Sequence, residues 1–162
     1  MNPRIACIQL RAGPSPDDNL ASAERLVRDA AAAGADIALL PERWEAFGSA
    51  EELRAAAQPV DGPRLTAVQS WARELGMAIV AGSVAERVPG DVRLRNTSVA
   101  FDRDGRQVGV YRKIHQFDVD LENQRVRESD TDAPAAEADV VGLPVEVAVG
   151  GARGYVRPGR VQ

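Results

Sequence analysis

Ile37-Ala38-Leu39-Leu40 is an unbroken apolar run, closed by Pro41 and followed at once by a carboxylate, Glu42. Gly34 lies behind the run and Pro41 ahead of it. A continuous apolar segment of this length between such breakers reads as a strand buried on both faces. In α/β sheets the crevice outside the carboxyl ends of the strands is where ligands bind. Glu42 is thus a candidate acid or base delivered by a rigid element; the alternative reading is a surface or helix-capping glutamate.

The flanking pattern sets the fold class. Arg4–Leu10 predicts a first buried strand, with Cys7 inside it as a core thiol, since free cysteine behaves as a small hydrophobe. Ser15-Pro16-Asp17-Asp18 predicts a helix start, with a hydroxyl cap, proline in the first turn and early acids. Leu20, Ala23, Val27 and Ala30 then share one face, and Gly34 is the stop. The resulting β-α-β favours parallel strands joined by a right-handed crossover. Ser49-Ala50-Glu51-Glu52 is a capping box for a short helix, and Asp61-Gly62-Pro63 opens another that carries Leu65, Val68, Ala72 and Leu75 on one face. Met77–Gly82 predicts a third buried strand. Asn96–Phe101 and Gln107–Tyr111 predict a hairpin around Asp102-Arg103-Asp104-Gly105, so the sheet is mixed. Gln116–Ala138 reads as acidic and irregular; Asp139–Val141 and Val145–Val149 read as short strands.

Composition narrows the function classes. The 162 residues suffice for one domain with a core. No apolar run reaches membrane-spanning length, and the N-terminus lacks a signal-peptide core, so a cytoplasmic protein with no membrane partner is expected. A formal charge of −4 argues against nucleic acid. One cysteine excludes an internal disulfide, and one histidine disfavours a metal site; no metal is expected. Asp118, Asp120 and Glu122 lack the spacing of a calcium loop and read as a solvated acidic segment. No glycine-rich phosphate loop and no Gly-x-Ser-x-Gly elbow is present, which removes support for a nucleotide binder or an α/β serine hydrolase.

One count is sharper. Of the 20 basic residues only Lys113 is lysine. Arginine keeps its proton in proteins, whereas a lysine can be tuned by its surroundings. A lone lysine in an arginine background is therefore a candidate functional group, the alternative being coding bias. Lys113 follows directly on the strand ending at Tyr111, as Glu42 follows on its own strand. If those ends share an edge, the two form a coupled Glu–Lys pair able to pass protons.

Leu39-Leu40-Pro41-Glu42, together with Tyr111-Arg112-Lys113-Ile114-His115-Gln116-Phe117-Asp118-Val119-Asp120, resembles the nitrilase, or carbon–nitrogen hydrolase, superfamily. Ile5–Gln9, Asn96-Thr97 and Arg127–Thr131 support the resemblance, which runs from residue 4 to about 149. The lysine motif is similar to the branch acting on small amides of dicarboxylic acids and of deaminated glutathione. The resemblance implies a Glu–Lys–Cys triad working without a cofactor. Glu42 matches the general base, Lys113 the group that holds the developing oxyanion, and Glu128 a second glutamate that orients the site. From the residues themselves, Trp44, two positions from Glu42, reads as a packing residue with a claim to line a pocket, and His115 as a hydrogen-bonding residue beside the cleft; both are candidates for substrate binding. The implied chemistry is thiolate attack on the amide carbon, release of ammonia from a thioester intermediate, then hydrolysis. The implied fold is an α-β-β-α sandwich, here an incomplete one with a mixed sheet flanked by helices.

The sequence departs from that pattern at the nucleophile. The cysteine expected at position 150 is Gly150, and Glu146 stands where the family has glycine. The reading is therefore residues 1–149 as the N-terminal part of a hydrolase domain, and 150–162 as a divergent, disordered tail of a truncated or frameshifted copy. Such a chain is expected to be inactive toward the small amide substrate of intact relatives. Half a sandwich also leaves a sheet face uncovered, so self-association or a homo-oligomer is expected. The alternative is a non-catalytic binding or assembly module that retains the fold.

Overall fold

The structure is a computed structural model that describes residues 3–121, 124–135, 146–149 and 152–155. In chain order the elements are β1 (Ile5–Cys7), α1 (Pro16–Ala32), β2 (Ile37–Leu39), α2 (Ala50–Ala56), α3 (Pro63–Leu75), β3 (Ala78–Val80), β4 (Val84–Arg87), β5 (Leu94–Phe101), β6 (Gln107–Arg112), β7 (Asp118–Leu121), β8 (Gln124–Arg127), a 3-10 turn at Glu128–Asp130, β9 (Glu146–Val149) and β10 (Ala152–Tyr155).

The helix starts form as their sequences dictate. Ser15 Oγ accepts from the Asp18 amide at the N-cap of α1. Ser49 and Glu52 complete a reciprocal capping box on α2. Gly76 closes α3 in the left-handed conformation that glycine adopts without a Cβ penalty.

The main sheet is mixed. β1, β2 and β3 are parallel neighbours, and β3 pairs antiparallel with β5. Thr97 of β5 faces both Val84 of β4 and Arg112 of β6, while Ala100 faces both Val80 of β3 and Gly109 of β6. Hence β3 and β4 follow one another along one side of β5, and β6 lies on the other side. One sheet face packs on α1 and α3. Ala23 and Val27 of α1 and Leu65, Val68, Trp71 and Ala72 of α3 share a core with Ala38, Ile79, Val99 and Phe101. Each fully buried valine, leucine or isoleucine contributes about 1.5–3 kcal/mol.

The opposite face is open. Ile5 is 60% exposed, Leu39 40% and Tyr111 36%. This corrects two expectations. β1 is an edge strand with only one face covered, and Cys7 is exposed rather than a core thiol. Strand periodicity shows that a run can be buried but not whether a second layer covers its far side.

The acidic stretch after Gln116 is more regular than expected: β7 and β8 form an antiparallel hairpin. Arg127 bonds Asp120, and Ser129 donates to Asp118, so these carboxylates are satisfied by neighbours in the hairpin and the turn after it. Within the stretch expected to be a loose tail, Ala152–Tyr155 pairs antiparallel with Glu146–Val149. The strand expected over Asp139–Val141 lies outside the described residues. Among the described residues, no helix is long and apolar enough to cross a membrane.

Gly82 forms the break between β3 and β4. It has φ +52°, and a Cβ added to it would lie 2.0 Å from the Pro41 carbonyl oxygen. The Ser83 amide donates to that same oxygen at 3.2 Å. The turn after β2 thus rests directly on the backbone of Gly82. Gly82→Ala would incur both the positive-φ cost and a clash with backbone. A loss of about 2–5 kcal/mol is expected, read as a lowered urea midpoint with unchanged m-value; an unshifted midpoint would show that the turn yields freely.

Candidate functional site

Glu42 leaves β2 in the turn seated on Gly82, and Lys113 leaves β6, whose last residue is Arg112. Arg112 is anchored by a two-pronged pair with buried Glu86, Nε to Oε2 and Nη2 to Oε1, both 2.6 Å. Thr97 Oγ1 also donates to Glu86, at 2.6 Å. The Lys113 amide donates to the Asn96 carbonyl at 2.8 Å, which carries the β5–β6 pairing one step beyond the strand. The lysine therefore starts from a fixed backbone.

The two strand ends do share an edge. Lys113 Nζ lies 3.1 Å from Glu42 Oε1 and 2.9 Å from Glu128 Oε2. Asn96 Nδ2 donates to Glu42 Oε1 at 2.7 Å and to Glu128 Oε1 at 3.3 Å. The Phe117 amide donates to Glu128 Oε2 at 2.6 Å. One ammonium thus bridges two carboxylates while one amide spans the same pair. Among the described residues, both hydrogen bonds to Glu42 end on Oε1. Its side chain is 60% exposed, against 15% for Glu128. Glu42 is thus the more open carboxylate of the two and Glu128 the enclosed one, and both hold the lysine.

The electrostatics follow from this geometry. Burial alone would push the Lys113 ammonium down, but the hydrogen bonds it donates to Glu128 and Glu42 outweigh it and hold the group above its ordinary value. Burial would raise the Glu128 carboxyl, yet the Phe117 amide, Lys113 and Asn96 together hold it below the usual range. At neutral pH Lys113 is therefore a cation held against the Glu128 carboxylate, the centre of a charged lattice.

Trp44, a candidate to line a pocket, is placed in the core. Trp44 has no exposed surface, and its indole Nε1–H donates to the Ala81 carbonyl at 2.8 Å. It anchors the Glu42 turn to the β3–β4 break, the large apolar ring two residues after Glu42 being drawn into the core. His115 is exposed at the bend after Lys113. Cys7, though exposed, belongs to β1, four strand positions from β6. At about 4.8 Å per position that is roughly 19 Å, far from hydrogen-bonding reach of Lys113. Position 150 lies outside the described residues.

Three contributors escape a reading of the sequence. Asn96 stands out there only as part of a motif; its further signal is an amide in the middle of a strand, where asparagine is disfavoured. Asp132, 1% exposed, and Arg43 form an ion pair behind Glu128, and nothing in their spacing pairs residues so far apart.

Stability depends on pH through the same groups. A carboxyl held low in the fold contributes stability above its unfolded value and loses it as pH falls; an ammonium held high contributes below its unfolded value and loses it as pH rises. Acid destabilisation should thus be shallower in Glu128→Gln, and alkaline destabilisation above the ordinary lysine value of 10.5 shallower in Lys113→Met. Urea unfolding across a pH series reads both; arms parallel to those of the unaltered chain would contradict the assignment.

Comparison with known proteins identifies the family. The sequence profile described as carbon–nitrogen hydrolase matches residues 4–152. Omega-amidase NIT2 of Danio rerio is 32% identical over 142 residues, 87% of this chain and 50% of that protein. Deaminated glutathione amidase of Yersinia enterocolitica is 35% identical over 149 residues, 89% of this chain and 51% of that protein. Nit3 of Saccharomyces cerevisiae, a nitrilase-superfamily member, superposes with a TM-score of 0.72 at 23% identity, over 86% of this chain and 51% of that one. XC1258 of Xanthomonas campestris, a CN-hydrolase superfamily protein, gives 0.69 at 26% identity, over 94% and 51%. The chain spans about half the length of the curated relatives it matches. With the sequence profile matching residues 4–152 of its 162, the chain belongs to the carbon–nitrogen hydrolase family.

Proposed function

We propose that this chain carries the base-and-lysine part of an amidase site for small non-peptide amides, with the nucleophile lacking. The observation that supports this most is Lys113 Nζ between Glu42 and Glu128, within 3.1 Å of both. In this reading Glu42 Oε2 takes the proton of an attacking thiol and later of the hydrolytic water. Lys113 donates to the carbonyl oxygen as it gains charge, and Glu128 keeps the lysine oriented and protonated. The substrate class comes from the relatives: those named omega-amidase and deaminated glutathione amidase suggest an amide on a chain that also bears carboxylate.

The nucleophile would be a cysteine at position 150, where this chain has glycine, and its one cysteine is Cys7. Removing the nucleophile from residues that act as a unit costs on the order of 10⁶ in turnover. The chain by itself is therefore inactive toward amides. A second reading, a binding or assembly module, is favoured by the open apolar face bearing Ile5, Leu39 and Tyr111; it entails self-association, seen as a mass above 17.3 kDa by light scattering.

Two experiments test the first reading. Incubated with a dicarboxylic acid monoamide, the chain should release no more ammonia than its Glu42→Gln variant; Glu42-dependent release would refute the missing nucleophile. Residues 1–149 joined to the cysteine-bearing half of an omega-amidase should release ammonia, with turnover falling by at least ~10³ in Lys113→Met. A folded, active chimera indifferent to Glu42 and Lys113 would overturn their assigned roles.

A further inference from the structure

Among the described residues other than glycine, only Arg43 has a positive φ, 53°. Left-handed backbone is uncommon for a residue with a long side chain, and it persists only where the surroundings over-determine it. Here they do so from three directions. The Arg43 amide donates to Ser83 Oγ at 3.1 Å, on the same β3–β4 break that receives the Pro41 carbonyl. Its guanidinium Nη2 pairs with Asp132 Oδ2, on a side chain 1% exposed, and lies 3.7 Å from Glu128 Oε1. Trp44, the next residue, is locked in the core. Asp132 is itself fixed: its amide donates to the Glu128 carbonyl at 2.8 Å, and its carbonyl accepts from Gln116 Nε2 at 2.7 Å. A single side chain therefore ties the turn that carries Glu42 to the turn that carries Glu128, across 89 residues of sequence.

We propose that Arg43 is a positioning residue. Its left-handed backbone turns Glu42 toward Lys113 and Asn96, and its ion pair with Asp132 holds that backbone in place. The proposal rests on Glu42 and Lys113 being the reacting pair. It is nevertheless read by geometry rather than by turnover, so its failure is distinct from failure of the amidase reading. The physical logic is that a helix or strand can aim a side chain by its regular backbone, whereas Glu42 lies beyond the end of β2. Its direction must come from contacts of the turn itself. Arginine suits that task because its planar fork keeps its charge when enclosed and can face two carboxylates at once.

The test uses two reporters that touch Glu42 directly. Lys113 is the one lysine of the chain, so its ammonium gives a single side-chain ¹⁵N resonance; the Asn96 side-chain amide is the second reporter. Glu42→Ala fixes the signals of Lys113 and Asn96 when Glu128 alone remains to accept from them. Arg43→Gly tolerates the positive φ but removes the tie. In it, Lys113 ammonium protons should exchange several-fold faster, and the Asn96 amide should shift toward its Glu42→Ala position, while backbone amides of Ala38, Ile79 and Val99 stay put. Asp132→Ala, which keeps the arginine and removes its anchor, should give the same pattern and decides the matter should Arg43→Gly not fold. Unchanged Lys113 exchange and Asn96 shift in either folded variant would overturn the proposal and leave Arg43 a packing residue.

Discussion

One ammonium between two carboxylates organises this molecule. Lys113 meets Glu42 and Glu128 because three separate elements end at the same edge: β2 through its turn, β6 directly, and the 3-10 turn after β8. Each is fixed by a different device. Gly82 makes room for the first, Glu86 clamps Arg112 for the second, and Arg43 with Asp132 ties the third to the first. Bringing two carboxylates this close would be repulsive without the lysine, and enclosing the lysine would be costly without them. The cluster is therefore interdependent, which is the condition under which a charged group can be held in readiness for chemistry.

The same sheet shows two faces of opposite character. The face toward α1 and α3 is a close-packed core, and its burial supplies the rigidity on which the charged edge is built. The other face carries Ile5, Leu39 and Tyr111 with much of their surface exposed. These exposed apolar side chains make the second face an uncovered surface, in a chain that spans about half the length of the curated relatives it matches.

Much of this is legible in the sequence, for local reasons. Apolar runs, Ser15 and Ser49 caps, Pro63 and Gly76 specify the helices and inner strands through contacts a few residues apart. Glu42 and Lys113 can be found because each immediately follows a recognisable strand. What stays hidden depends on distant partners. The exposure of Cys7 is set by a layer that sequence periodicity does not report. The depth of Trp44 is set by the Ala81 carbonyl, and the importance of Arg43 by an aspartate 89 positions away. The β7–β8 hairpin escapes because its charged residues hide the strand pattern, while Asp120–Arg127 pairing stabilises it across the strands.

Lys113 is held as a cation by both glutamates at once. The most direct measurement is the titration of its single side-chain ¹⁵N resonance. A midpoint above the ordinary value of 10.5 is expected, brought down by Glu42→Gln and separately by Glu128→Gln. A midpoint at or below that value, indifferent to either substitution, would show that the lattice does not form in solution.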